Sequence, residues 1–176
     1  MDVDYNICTN CVESCCSYKK NELEYTPTFT KDEVEKIEKK FGKLSCFRPF
    51  NKAKTIFDIK PVKSKNNPDL YFCPFFDEKT KACKNYELRS LDCKLFPFTF
   101  VRINGKIYLA MVNESLCPLM KTITPKFTEI LKKKVFETIK KEKAIEVLRK
   151  FPDLIIDYDE DDNEISLIKE FDLNKE

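Results

Sequence analysis

The sequence contains no histidine, no tryptophan and no glutamine, and it has only two glycines in 176 residues. Without histidine, the chain cannot build a Ser-His-Asp triad, a Cys-His protease site or an imidazole metal ligand. With Gly42 and Gly105 as its only glycines, it cannot carry a phosphate-binding P-loop or a GxGxxG dinucleotide loop. These absences exclude several large classes of enzyme.

The length and composition predict a globular protein. Hydrophobic residues make up 42% of the chain and charged residues 35%, a balance that excludes a disordered chain. The formal net charge of +2 gives no overall field that would favour nucleic acid or anionic lipid. No apolar run approaches the ~20 residues of a membrane span, and the amino terminus lacks the apolar stretch of a secretory signal. We therefore expect a cytoplasmic protein with no membrane partner.

Nine cysteines are the unusual feature of the composition. Because thiols usually stay reduced in the cytoplasm, so many cysteines indicate metal ligation rather than a disulfide framework. The glutamine-free, lysine- and glutamate-rich composition is also typical of thermophiles, in which intracellular disulfides occur, so that alternative stays open. All nine cysteines lie before residue 120. We expect a cysteine-rich metal-binding body over 1–120 and a helical and acidic region over 121–176 packed on it, as a single domain.

Four of the cysteines lie within nine residues. Cys8 and Cys11 form a C-x2-C pair, whose thiolates can fold around one metal ion. Cys15 and Cys16 follow, and since adjacent side chains diverge, we expect only one of the two to face the same metal. Free cysteines are also common in protein cores, and this interpretation is favoured for Cys46, which has no partner at a metal-binding spacing.

The later cysteines, Cys73, Cys83, Cys93 and Cys117, are ten or more residues apart. Their spacing alone does not distinguish metal ligands from core cysteines. Proline follows the first and the last of them, and a proline after a ligand cysteine stiffens the loop, as in iron–sulfur binding runs. The many phenylalanines nearby would exclude water from a cluster, but they equally suit an ordinary aromatic core.

Local patterns predict an α+β fold, with a small irregular antiparallel sheet, flanking helices and one or more cysteine-ligated metal sites. Thr30 and Glu33 have the spacing of a capping box, and Gly42 stands where a helix-ending glycine belongs. These signals predict a helix over 31–41. Residues 46–62 are typical of irregular strand.

Further elements follow from turn and breaker residues. The Asn-Gly pair at 104–105 separates two alternating runs and predicts a type I′ hairpin over 96–112. A Thr-Pro pair begins a predicted helical region over 124–150. The aromatic run over 70–76 suggests a buried strand that Pro74 interrupts at a sheet edge or a bulge.

Three motifs occur in order along residues 5–120: Cys8-x2-Cys11-x3-Cys15-Cys16, Tyr71-Phe72-Cys73-Pro74-Phe75 and Cys83-x2-Tyr86-x2-Arg89-x3-Cys93-x2-Phe96-Pro97. This arrangement resembles the cysteine-cluster family whose members are described as zinc- or iron-chelating proteins. Flagellin lysine N-methylases share the same cysteine pattern, which in them is associated with an iron–sulfur cluster.

The resemblance implies eight candidate metal ligands: Cys8, Cys11, Cys15, Cys16, Cys73, Cys83, Cys93 and Cys117. They would form two four-thiolate sites, or one cluster beside a pair of reactive thiols. Zinc and a [4Fe–4S] cluster both accept four thiolates, so the ligand type does not choose between them. The resemblance favours the [4Fe–4S] cluster, with zinc as the alternative.

Tyr86 and Arg89 lie between two candidate ligands and are three residues apart. Arg89 is positioned to offset thiolate charge or to donate hydrogen bonds to cluster sulfurs, as groups around metal ligands do. Both residues are therefore candidates for cofactor binding. A surface salt bridge is the alternative role for Arg89.

Three functions are compatible with these features. The first is a metal-binding protein with a structural or redox role. The second is an iron–sulfur-dependent methyl-transfer or redox enzyme, although the chain has no glycine loop of the kind that binds S-adenosylmethionine. The third is a nucleic-acid-binding module that uses the lysine-rich helical region, which the near-neutral net charge disfavours. The sequence does not decide whether the protein is an enzyme.

Overall fold

The computed structural model describes residues 15–159, 163–173 and 175, and it divides the chain into two compact units, Met1–Ser90 and Leu91–Glu176. In these described ranges the chain forms four α-helices and four small sheets. The predicted α+β class is confirmed. The single predicted sheet is replaced by several smaller ones.

Helix α1 (Lys31–Phe41) of the first unit begins and ends as predicted. The backbone N–H of Thr30 donates to a carboxylate oxygen of Glu33 at 2.8 Å, and the Glu33 N–H donates to Thr30 Oγ1 at 3.2 Å. Gly42 ends the helix at φ +81°, a conformation that favours glycine. Its N–H donates to the carbonyl of Glu38.

Replacing the N-cap hydroxyl gives a first prediction. A Thr30→Ala variant is expected to lose about 1 kcal/mol of unfolding free energy, because it leaves a helix N–H without its acceptor. Urea denaturation would measure the loss. Lys36→Ala, an exposed change in the same helix, is the control and should match the wild type. A Thr30→Ala variant as stable as this control would contradict the capping assignment.

The described residues of the first unit, 15–90, form three sheets of short strands. One sheet has the order β1-β6-β5, with β1 (Ser17–Lys19), β5 (Val62–Lys63) and β6 (Leu70–Phe72). A second has the order β2-β4-β3, with β2 (Thr28–Thr30), β3 (Phe47–Pro49) and β4 (Ile56–Ile59). The third pairs β7 (Phe76–Asp77) with β8 (Ala82–Cys83).

Several prolines of this unit lie at or near the ends of its short strands. Pro49 ends β3, Pro61 precedes β5, and Pro68 and Pro74 lie two residues outside the ends of β6, where a residue without an N–H does not break a hydrogen-bonded ladder. Pro74 lies in the turn after β6, and β6 is the central strand of its sheet. The expectation that Pro74 interrupts a strand at an edge or bulge is therefore wrong: the strand simply ends before it.

The first unit has its own hydrophobic core. Phe29, Ile37 and Ile59 are at most 2% exposed, and they bring together strand β2, helix α1 and strand β4. Phe72 and Phe76 stack at 5.1 Å between ring centroids at the edge of this core. Cys73, between the two rings in sequence, is buried in the same cluster.

The part of the second unit that the structure describes forms one four-stranded sheet of order β11-β9-β10-β12. Its strands are β9 (Phe98–Ile103), β10 (Lys106–Val112), β11 (Ile156–Asp157) and β12 (Ile165–Phe171). The predicted hairpin is confirmed: β9 and β10 pair antiparallel across Asn104 and Gly105, which both have positive φ. Strand β11 pairs parallel to β9, so the sheet is not wholly antiparallel.

Three helices cover this sheet: α2 (Leu91–Leu95), α3 (Pro125–Lys141) and α4 (Ala144–Lys150). Thr124 caps α3 by accepting from the Phe127 N–H at 3.2 Å, as the Thr-Pro pair predicts. The predicted helical region breaks at Lys143, whose φ of 52° ends one helix before the next begins. Among the described residues, no helix combines the length and apolar character that crossing a bilayer requires.

Candidate metal centre

Pairing of strands β1 and β6 places the first described cysteines beside Cys73. Ser17 lies opposite Phe72 in this antiparallel pair. At its end, the N–H of Cys73 donates to the carbonyl of Cys16 at 2.9 Å. Two cysteines that are 57 positions apart in the sequence are thus neighbours along a shared ladder.

A tight turn and a short hairpin add Cys83 to the same region. The Phe76 N–H donates to the carbonyl of Cys73 at 2.8 Å and closes the turn that contains Pro74. Phe76 then pairs with Cys83 across β7 and β8. The N–H of Lys84 donates to the carbonyl of Phe75 at 2.7 Å, which fastens the end of the hairpin to the turn.

The thiols of Cys73 and Cys83 each accept a hydrogen bond from a backbone N–H two residues later in the chain. Phe75 donates to Cys73, and Asn85 donates to Cys83; both bonds lower the pKa of the thiol that accepts them. An N–H aimed at sulfur favours the thiolate, which is the form that binds a metal. The two loops therefore have the same local arrangement around their cysteines.

Burial and neighbouring sulfurs act in the opposite direction. The pKa of the Cys73 thiol is raised to about 12, chiefly by burial, with repulsion from Cys83, Cys46 and Cys15 contributing. The pKa of Cys83 is also raised, chiefly by burial, with Cys15 contributing. The thiols are close enough to disfavour one another's ionisation. A cation bound among them would reverse that effect, because it attracts every thiolate around it.

Cys15 differs from the other thiols of the group. A hydrogen bond from the Cys16 side chain lowers the pKa of Cys15 to about 7, and the positive charge of Arg89 acts in the same direction. The residue is exposed, although neighbouring atoms crowd its thiol and partly oppose the shift. Cys15 and Cys16 thus interact through their side chains, so the expectation that these adjacent side chains diverge is wrong.

Arg89 is held beside the thiols by Tyr86. The guanidinium carbon of Arg89 lies 3.7 Å from the centroid of the Tyr86 ring, and its Nε donates to the Tyr86 carbonyl at 3.0 Å. Its charge lowers the pKa of both Cys15 and Cys83. By contrast, the arginines at positions 48 and 102 form salt bridges with Asp58 and Asp157.

Cys46 is a member of this neighbourhood that sequence spacing does not reveal. Its thiol is half-buried at the edge of the first unit's core, and it contributes to the raised pKa of Cys73. Burial and the nearby carboxylate of Glu38 raise its own pKa. No motif in the sequence indicates this position, because assembly of the sheets brings it there.

The remaining candidates lie elsewhere in the chain. Cys8 and Cys11 are outside the described residues. Cys93 lies in helix α2 and is half-buried, and Cys117 is buried at the start of a 3-10 turn, Pro118–Lys121, in the second unit. Within the described ranges, no three cysteine, aspartate or glutamate side chains are arranged as a preformed metal site.

The family model described as "Putative zinc- or iron-chelating domain", with the motif CxxCxxCC, matches residues 7–118, more than half of the chain. The chain belongs to this family. The match spans all eight cysteines that the sequence resemblance implies as ligands, and it supports the binding of zinc or iron as the general function. Comparison with curated proteins and with solved structures gave no match.

Proposed function

We propose that this CxxCxxCC protein binds a [4Fe–4S] cluster through cysteine thiolates, and that the bound cluster has a structural or redox role. The observation that carries the proposal is the neighbourhood shared by the Cys15, Cys73 and Cys83 thiols in the first unit, where they disfavour one another's ionisation and Cys16 is hydrogen-bonded to Cys15. Two of these thiols accept backbone N–H donors, and an arginine lies beside two of them. One [4Fe–4S] cluster takes four thiolates, so Cys8, Cys11, Cys93 and Cys117 stay the other candidate ligands that the sequence resemblance implies.

Cysteine thiolates are suitable ligands for a [4Fe–4S] cluster. Thiolates are the usual ligands of iron–sulfur clusters, and hydrogen bonds to sulfur tune the cluster's potential. Four thiolates leave a net negative charge around either zinc or the cluster. Arg89 supplies a compensating positive charge that is stacked in place on Tyr86. The N–H groups of Phe75 and Asn85 supply the hydrogen bonds.

When bound, the cluster would supply one-electron redox chemistry or a rigid crosslink, while the protein would hold and shield it. The buried rings of Phe72 and Phe76 lie on either side of Cys73 in the sequence and exclude water from its surroundings. Zinc would use the same thiolates and supply only the crosslink. Because oxygen and free oxidants convert such thiols to disulfides, the proposal includes a reducing, cytoplasmic location.

Alkylation of Cys15 tests the ligand assignment, since Cys15 is the exposed residue among these cysteines and the pKa of its thiol is lowered to about 7. Protein purified without oxygen would be treated with iodoacetamide before and after metal removal by a chelator, and the modified peptides would be mapped by mass spectrometry. We expect Cys15 to be protected while metal is bound and to react rapidly after chelation. Equal reaction rates in both states would remove Cys15 from the ligand set.

The role proposed for Arg89 gives a further prediction. An Arg89→Ala variant is expected to release its metal to excess chelator about 10–100-fold faster than the wild type, as loss of a group around metal ligands typically does. Arg89→Lys keeps the charge but loses the planar stacking on Tyr86, so an intermediate rate is expected. Arg48→Ala is the matched control, because Arg48 pairs with Asp58 instead. Release from Arg89→Ala at the control's rate would exclude the proposed role.

A further inference from the structure

Asn85 is fully buried, and it contacts both the Cys83 thiol and the turn that precedes Arg89. It lies two residues after Cys83 and is 2% exposed, an uncommon location for an asparagine. Its backbone N–H donates to the Cys83 thiol. Any residue except proline would provide this backbone bond, so the bond alone does not explain an asparagine at this position.

The side chain of Asn85 closes the turn that leads to Arg89. Its Nδ2 donates to the carbonyl of Leu88 at 3.2 Å, and the Leu88 N–H donates back to the Asn85 carbonyl at 3.1 Å. This reciprocal pair encloses the 3-10 turn Tyr86–Leu88. Arg89 follows immediately, and it returns to the same turn by donating to the Tyr86 carbonyl.

The other polar atom of the Asn85 side chain, Oδ1, destabilises the folded state. This Oδ1 is buried and has no hydrogen-bond partner among the described residues. An unpaired buried acceptor is unfavourable, and native proteins contain few of them. Fold stability alone therefore does not account for an asparagine here, whereas a requirement for its Nδ2 donor would.

We propose that Asn85 is a positioning residue of the metal centre, which keeps Arg89 near the Cys15 and Cys83 thiols by closing the turn between Cys83 and Arg89. This inference rests on the proposed function, in which these thiols bind metal. Asn85 then acts through Arg89 and does not touch the metal itself. Without its side chain, the turn would open and the guanidinium would leave its place beside the thiols.

A double-mutant cycle tests this dependence. Metal release to excess EDTA would be measured on purified, metal-loaded wild type, Asn85→Ala, Arg89→Ala and the double variant, with the released metal determined by elemental analysis. We expect each single variant to release metal about 10–100-fold faster than the wild type. The double variant should be no faster than Arg89→Ala within about threefold, because both changes remove one interaction. Rates that multiply in the double variant would overturn the proposal.

Two more variants separate positioning from a general effect on the loop. Asn67→Ala is the control, since Asn67 accepts an N–H within an exposed turn of the same unit, and its release rate should equal that of the wild type. Asn85→Asp has the same shape but cannot donate to the Leu88 carbonyl, so it should release metal at least as fast as Asn85→Ala. Should both variants at position 85 fail to fold, the residue is purely structural and the positioning role is rejected.

The outcomes also distinguish this inference from the proposed function. A wild-type protein that carries no metal would overturn both. A wild type that holds metal, together with an Asn85→Ala variant that releases it at the wild-type rate, would overturn only the role of Asn85.

Discussion

A Cys73→Ser variant is expected to lose its bound metal and to unfold at a temperature about 10 °C lower than the wild type. Cys73 is 6% exposed, and its thiol interacts electrostatically with the thiols of Cys15, Cys46 and Cys83. Serine nearly preserves the shape of the side chain, so little of the loss would come from a cavity. Losing a structural metal typically removes several kcal/mol, here roughly 3 kcal/mol or more.

Cys46→Ser is the matched control for this experiment. Cys46 also lies near Cys73, but the backbone N–H that its thiol accepts is its own rather than one two residues later, and the Glu38 carboxylate disfavours the thiolate. We expect this variant to keep its full metal content. Metal content by elemental analysis and melting by circular dichroism would be compared for both variants. A Cys73→Ser protein that retains stoichiometric metal would contradict the assignment of Cys73, and metal loss from both would extend the ligand set to Cys46.

Removing the metal is expected to loosen the first unit far more than the hairpin of the second. The first unit is built from strands of two to four residues, which bury little surface without a crosslink. Loss of a structural metal is expected to remove roughly 3 kcal/mol or more of this unit's stability. Hydrogen exchange at the N–H groups of Cys73, Phe76 and Lys84 should therefore accelerate about 100-fold or more on chelation.

The amides of β9 and β10 provide the internal comparison. Their strands are six and seven residues long, and Phe100 and Leu109 are at most 2% exposed in the separate core of the second unit. Their exchange should change little on chelation. Hydrogen–deuterium exchange with mass spectrometry on metal-loaded and chelated protein measures both regions at once. Equal acceleration in both regions, or in neither, would contradict a metal that crosslinks the first unit.

The sequence predicts those parts of the fold that depend on near neighbours. The box of Thr30 and Glu33, the turn at Asn104 and Gly105, and the cap at Thr124 all use contacts within a few residues. Each was confirmed because a short turn or cap requires particular side chains at fixed positions. Such requirements are visible in a single sequence.

Elements that depend on distant partners were not predictable in the same way. Strand β12 pairs with β10 through partners such as Ile107 and Phe171, which are 64 positions apart. The break at Lys143 uses a left-handed conformation without the glycine or asparagine that would have indicated it. In both cases tertiary packing determines the structure, and no local pattern reports it.

The candidate metal centre likewise combines residues that a sequence motif identifies with residues that only the folded structure brings there. The motifs identify Cys73, Cys83 and Arg89 because their spacing resembles that of a family, and the structure gives these residues a common neighbourhood. Cys46 and Asn85 have no such motif. Assembly of the sheets brings Cys46 toward Cys73. Asn85 is distinguished only by its burial and its hydrogen bonds.

Elemental analysis of protein purified without oxygen, together with its visible absorption spectrum, tests the central claim most directly. Thiolate ligation of a [4Fe–4S] cluster predicts iron with an equal amount of acid-labile sulfide and a broad absorption band at about 400 nm. Colourless protein with stoichiometric zinc would keep the thiolate site but contradict the cluster. Protein that contains neither metal after anaerobic purification would contradict metal binding by these cysteines.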